Sequence, residues 1–155
     1  MGKAVYERIL VPIDGSDTAR HGLREAISLA AGLGARLHVL HVIDTTPLYM
    51  DFAPVAGLNH SIEVMKHDGE RFVTAACREA GESGVQADFA VVEIGSTRVA
   101  DHILSEAGRC RADLIVMGTH GRRGFSRFSL GSDAESVARA SPIPLLLVRA
   151  PEGSR

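Results

Sequence analysis

The sequence predicts an α/β domain: a five-stranded parallel sheet with helices on both faces, Rossmann-like in its architecture. Three observations carry that expectation. Short Val/Ile/Leu runs alternate with longer segments of helical period, the pattern that gives parallel strands and crossover helices. The runs are apolar throughout rather than alternating with polar residues, as a sheet covered on both faces requires. The chain has 155 residues, the length of one ordinary domain, so residues 1–155 are read as a single unit.

The elements follow in order. "RILVPID" (Arg8 to Asp14) reads as the first strand, ending on a turn-forming Asp-Gly. Ser16 or Asp17 caps the helix that follows, which carries Leu23, Ile27 and Ala30 or Ala31 on one side and stops at Gly32 and Gly34. "ARLHVLHVI" (Ala35 to Ile43) is the second strand. Asp44 to His60 reads as the one long connection, with Tyr49, Met50 and Phe52 too apolar for a free linker, so it is either a lid, a partner contact or locally packed. A long helix spans about Ser61 to Ala80, with Ile62, Met65, Phe72, Val73 and Ala76 mostly on one side. "ADFAVVEI" (Ala87 to Ile94) is the third strand, and a helix from near Ser96 carries Val99, Ile103, Ala107 and Cys110. "ADLIVMG" (Ala112 to Gly118) and "PLLLVRA" (Pro144 to Ala150) complete the sheet, with a helix between them from Gly131-Ser132 to about Ala140.

Composition narrows the function. Hydrophobic residues make up 45% and charged residues 23%, the balance of a globular protein. A pI near 6.4 argues against general nucleic-acid binding. Lys3 and Lys66 are the only lysines, so the basic side chains are almost all planar guanidinium forks. No apolar run approaches the ~20 residues that span a bilayer, and the start lacks the apolar run of a signal peptide, so a cytoplasmic protein with no membrane partner is expected. Cys77 and Cys110 form no C-x-x-C pair and read as free thiols.

One segment runs against the slightly acidic background. "GTHGRRGFSRFSLGS", Gly118 to Ser132, holds four glycines, three arginines and four hydroxyl residues without a carboxylate. Gly118 ends a strand, Gly121 follows, and nine residues later Gly131-Ser132 opens a helix. Helix-start amides lack intrahelical partners and carry the positive end of the macrodipole, so phosphate suits them, and Ser132 adds a hydroxyl. Ligands of parallel sheets lie at the carboxyl ends of the strands, where Asp14, Val42 and Gly118 all fall. Neither a P-loop nor a G-x-G-x-x-G fingerprint is present.

The spacing G-x-x-G, nine residues, G-[ST] resembles the ATP-binding signature of universal stress proteins. "ILVPIDGSDTARHGLREAISLA" is similar to that family's opening strand and helix, "LHVLHVID" to its second strand. "ADLIVMGTHGRRGFSRFSLGSDAESVARASPIPLLLVR" is similar to its closing block, the most specific part. The resemblance implies the strand order 3-2-1-4-5 and binding of ATP or a related adenine nucleotide with Mg2+. It implies that Pro12, Ile13, Asp14 and Val42 hold adenine and ribose, and that Gly118, Gly121, Gly131 and Ser132 hold the phosphates. Asp14 also suits ribose hydroxyls or a magnesium ion, or else only the turn. Arg122, Arg123 and Ser129 either reach the phosphates or lie solvated, and His120 either polarises a phosphate or is structural. Asp133 stands where the family commonly has an uncharged residue; beside phosphates its carboxylate would repel, unless it turns away or shares a cation.

No catalytic constellation stands out. His38 and His41, three apart on a strand, face opposite sides. Slow ATP hydrolysis is compatible with the sequence, and a family member that keeps the fold but binds no ATP is the other alternative. The last strand, Leu145, Leu146, Leu147 and Val148, would form an apolar edge that invites a second chain. Universal stress proteins commonly pair there, so a homodimer is expected, limited by Pro142 and Pro144 to the later residues.

Overall fold

A computed structural model describes residues 5–50, 55–120 and 130–151. Five strands, β1 (Arg8–Pro12), β2 (Arg36–Asp44), β3 (Ala87–Ile94), β4 (Leu114–Gly118) and β5 (Leu145–Val148), form one parallel sheet in the order β3-β2-β1-β4-β5. The expected class and strand order both hold. Side chains alternate strictly across it. Ile9, Val11, Leu37, Val39, Leu114 and Val116 face one layer of helices, while Leu10, Leu40, Ile115 and Met117 face the other. Helices α1 (Asp17–Leu33) and α3 (Val55–Glu82) cover the first face; α4 (Val99–Arg109) and α5 (Ser132–Ala140) cover the second.

The helix boundaries have local causes. Ser16 Oγ accepts from the Ala19 amide at 3.1 Å and caps α1, and Gly34 closes it at φ 68°, a left-handed conformation that glycine adopts without strain. Gly32 stays inside the helix rather than stopping it, and of the two alanines offered for the stripe Ala30 is buried and Ala31 exposed. Helix α4 starts at Val99, three residues later than Ser96.

The connection after β2 departs most from expectation. In place of a loop from Asp44 to His60, the short helix α2 (Thr46–Met50) forms at once and α3 begins at Val55. Asp44 Oδ1 accepts from the Thr46 amide at 2.9 Å, and Pro47 in the first turn lacks an amide that would have had no helical partner anyway. Phe52 lies outside the described residues.

At the amino end of the sheet a chain of charges ties α4 down. Arg8 donates to Asp88 at 2.8 Å, Asp88 meets His38 Nδ1 at 2.5 Å, and His38 Nε2 meets Glu106 at 2.6 Å. Arg109 completes the chain with two bonds of 2.8 Å to Glu106. His38 and Glu106 are both about 95% buried, each at 5% exposure. The paired bonds from Arg109, against the opposing effect of burial and with help from His38, hold the Glu106 carboxyl below its ordinary value. Burial pushes Asp88 upward, but hydrogen bonds from His38 and Arg8 outweigh it and lower this carboxyl too.

Candidate functional site

A cavity of about 530 Å³ opens where the strands end. Of the residues singled out in the sequence, Pro12, Ile13, Asp14, Val42, Gly118, His120, Gly131, Ser132 and Asp133 all line it. Gly121, Arg122, Arg123 and Ser129 lie outside the described residues. One volume thus gathers positions separated by more than a hundred residues of chain.

Each wall has a structural cause. After Pro12 the chain leaves β1, yet the Ile13 amide still donates to Leu40 O at 2.8 Å and so stays beside β2. Asp14 Oδ1 accepts from the Ser16 amide at 2.9 Å, and Gly15 turns the chain at φ 81° into α1. The turn-forming role of Asp14 is therefore real, and it coexists with a place in the cavity wall. Leu40 and Val42 line the cavity from the same face of β2.

The glycine-rich segment is closed at its two ends. Thr119 donates to Val148 O at 2.9 Å, and the Gly131 amide donates to Thr119 O at 2.7 Å. That bond sets the end of β4 beside the start of α5. Gly131 is the N-cap of α5 at φ −61°, a region open to any residue, and it offers no side-chain cap. Backbone strain therefore does not explain glycine there. The Gly131 amide is spent on Thr119, so the helix-start donors that matter belong to the first turn from Ser132 onward.

Gly118 has a second reason to be glycine. A β-carbon there would lie 2.7 Å from Thr18 Cγ2 of α1, and one on Gly22 would lie 3.1 Å from the Gly118 amide nitrogen. The missing side chain lets α1 cross β4 closely, while the backbone of Gly118 faces the cavity. Packing, and not access for a ligand alone, demands this residue.

His120 brings an orphan. Its Nδ1 is 3.0 Å from Thr119 Oγ1, while its Nε2 is buried and has no hydrogen-bond partner among the described residues. Buried polar atoms are rarely left unpaired, so a lining residue with one is a group that a ligand could satisfy.

The carboxyl end of β3 contributes residues that sequence reasoning passed over. Ser96, Thr97 and Arg98 line the cavity just before α4, and Arg98 is the N-cap without a side-chain cap of its own. Its guanidinium is paired with Asp101 at 3.0 and 3.2 Å. The rule that pointed to Asp14, Val42 and Gly118 applies equally after Ile94, where "GSTR" begins. Asp44 at the end of β2, Thr46 at the start of α2 and Ser136 of α5 line the cavity as well.

The profile of the universal stress protein family matches residues 5–149. The chain belongs to the universal stress protein family. It is 33% identical over 152 residues to a universal stress protein of Methanocaldococcus jannaschii, covering 97% of this chain and 86% of that one. A solved universal stress protein family structure from Burkholderia pseudomallei shares 31% identity at a TM-score of 0.79, covering 96% of this chain and all of its own. A universal stress protein from Archaeoglobus fulgidus, solved in complex with dAMP, shares the fold at a TM-score of 0.61 and 21% identity, over 93% of this chain and 98% of that one. In this universal stress protein, no helix among the described residues is long and apolar enough to cross a membrane.

Proposed function

We propose that the cavity binds an adenine nucleotide, with ATP as its physiological ligand, and that the protein works in the cytoplasm as a nucleotide-dependent switch. The observation that carries this reading is the convergence of Asp14, Val42, Gly118 and Gly131-Ser132 on one cavity at the carboxyl edge of the sheet. Its volume, about 530 Å³, lies within the ~300–1,000 Å³ usual for small-molecule sites. Pro12, Ile13 and Val42 give an apolar wall for the base, and Asp14 accepts from the ribose. The phosphates rest on the backbone of Gly118 and the first turn of α5, where Ser132 adds a hydroxyl. His120 Nε2 then gains the partner it lacks. Gly121, Arg122, Arg123 and Ser129 stand in the sequence between Thr119 and Gly131, and the proposal gives them the phosphates as well. The dAMP held by the Archaeoglobus fulgidus protein supports an adenine nucleotide as the class.

Mg2+ enters this reading with the phosphates. The ion is usually held by one or two carboxylates together with phosphate oxygens and water. Asp14 fits that role, and among the described residues no three His, Cys, Asp or Glu side chains form a metal cluster by themselves. When bound, the ion would offset phosphate charge. The family reading also pairs two chains through the edge strand β5, where Leu146 is 41% exposed.

Asp133 favours a second reading, in which the fold serves protein contacts and holds no ATP, because an acidic residue lines the cavity beside the start of α5. Titration of ATP into the wild type and Gly131→Val separates the two. The nucleotide reading expects binding in the wild type and a loss of at least tenfold in the variant, since a branched side chain would intrude where the phosphates approach. A folded variant that binds ATP as the wild type does would show that the site is misplaced. Absence of binding in the wild type, with no nucleotide released on denaturation, selects the second reading.

A further inference from the structure

The cavity wall at Ile13 is held from behind the sheet. His41 of β2 is buried on the face opposite to Leu40 and Val42 and does not itself line the cavity. Its Nδ1 lies 2.8 Å from the carbonyl oxygen of Ile13. A carbonyl only accepts, so Nδ1 carries a proton and donates. The amide of the same Ile13 donates to Leu40. Ile13 is thus fastened to β2 at both of its backbone polar groups, one residue past the end of β1.

Helix α3 holds the imidazole in place. The Phe72 ring meets it edge-on with centroids 5.5 Å apart. At Gly69 the helix backbone comes so near that a β-carbon would lie 2.5 Å from His41 Cδ2. The ring has a slot of its own size, and the slot aims Nδ1 at Ile13.

We propose that His41 is a positioning residue of the nucleotide site, fixing Ile13 and Asp14 as the surface on which the nucleoside rests. This rests on the nucleotide reading above and adds a division of labour to it. His41 acts on the nucleoside end alone, because the phosphate end is held separately by the Thr119 bonds to Val148 and Gly131.

The test compares ATP, adenosine and inorganic tripolyphosphate on the wild type, His41→Leu and His41→Asn. Asparagine keeps an N–H donor close to the place of Nδ1, whereas leucine keeps only the bulk. His41→Leu is expected to weaken ATP and adenosine about tenfold, the size of one lost hydrogen bond, and to leave tripolyphosphate unchanged. His41→Asn is expected to recover most of the loss. Unaltered ATP affinity in His41→Leu overturns the proposal while the nucleotide reading stands; an equal loss for tripolyphosphate overturns it as well, marking general damage. A wild type that binds none of the three overturns the nucleotide reading and takes this proposal with it. If His41→Leu does not fold, the imidazole nitrogen shifts of the wild type decide. A protonated Nδ1 whose shift responds to adenosine but not to tripolyphosphate supports the role. An unprotonated Nδ1, or no response to adenosine, refutes it.

Discussion

Asp133 concentrates the question of charge in one residue. It stands in the first turn of α5, where a carboxylate steadies the helix dipole, and in the cavity wall, where it would face phosphate oxygens. The two effects oppose each other, and repulsion between like charges grows as water is excluded. Asp133→Asn is therefore expected to tighten ATP severalfold, with the gain shrinking as salt is raised, and a titration at two ionic strengths measures it. Equal affinities at both would show that the carboxylate does not act on the phosphates. Residues such as Asp133 and Asp14 were legible because their position at a strand or helix end follows from a short pattern. Gly118 was legible only in part: its place in the cavity followed from the end of a strand, but the packing against Thr18, which would put a β-carbon 2.7 Å from Cγ2, joins residues a hundred positions apart. No local pattern announces such a contact. His41 was hidden for the same reason, since its slot is cut by Gly69 and Phe72 of a helix packed behind it.

Among the elements, α4 adds to its apolar packing through Ala100, Ile103 and Ala107 a charge chain whose inner members, His38 and Glu106, are buried. Glu106 is turned into the sheet at 5% exposure, and its partners His38 and Arg109 come from a strand and from its own helix. Removing one member of a buried pair leaves the other unmatched and costs ~3–5 kcal/mol. Because Asp88 and Glu106 both have lowered carboxyl values, their contribution is present above the ordinary values of 3.8 and 4.5 and is lost as the pH falls through the folded ones. Melting temperatures between pH 6 and 3 should fall steeply below about pH 4 in the wild type, and less steeply in Glu106→Gln, which starts from a lower value. Parallel curves would show that this chain does not govern acid sensitivity. The elements themselves were mostly legible, because apolar runs and caps such as Ser16 act locally. The exception was Thr46–Met50 together with the start of α3. Exposed Tyr49 and Met50 give no helical stripe, and the sequence does not distinguish Asp44, whose carboxylate accepts from the Thr46 amide, from a loop Asp.

For the whole molecule, the order β3-β2-β1-β4-β5 places the carboxyl ends of four strands and the starts of α1, α4 and α5 around one cavity. Alternating strands and helices predict a parallel sheet with right-handed crossovers, but they leave the order open; the resemblance of the closing block supplied it. The same order leaves β5 at an edge, and the proposed pairing of two chains there predicts that wild type scatters light as a dimer and Leu146→Glu as a monomer, since a charge opposes pairing. A mass unaffected by the substitution would remove β5 from the interface. The central claim is that the first turn of α5, joined to the end of β4 through Thr119, receives the phosphates of an adenine nucleotide. The most direct measurement is a crystal structure grown with saturating Mg-ATP. The account predicts adenine against Ile13 and Val42 and phosphate oxygens within hydrogen-bond reach of the Ser132 hydroxyl and amide. Nucleotide bound elsewhere, or a cavity that stays filled by the protein's own side chains, contradicts it.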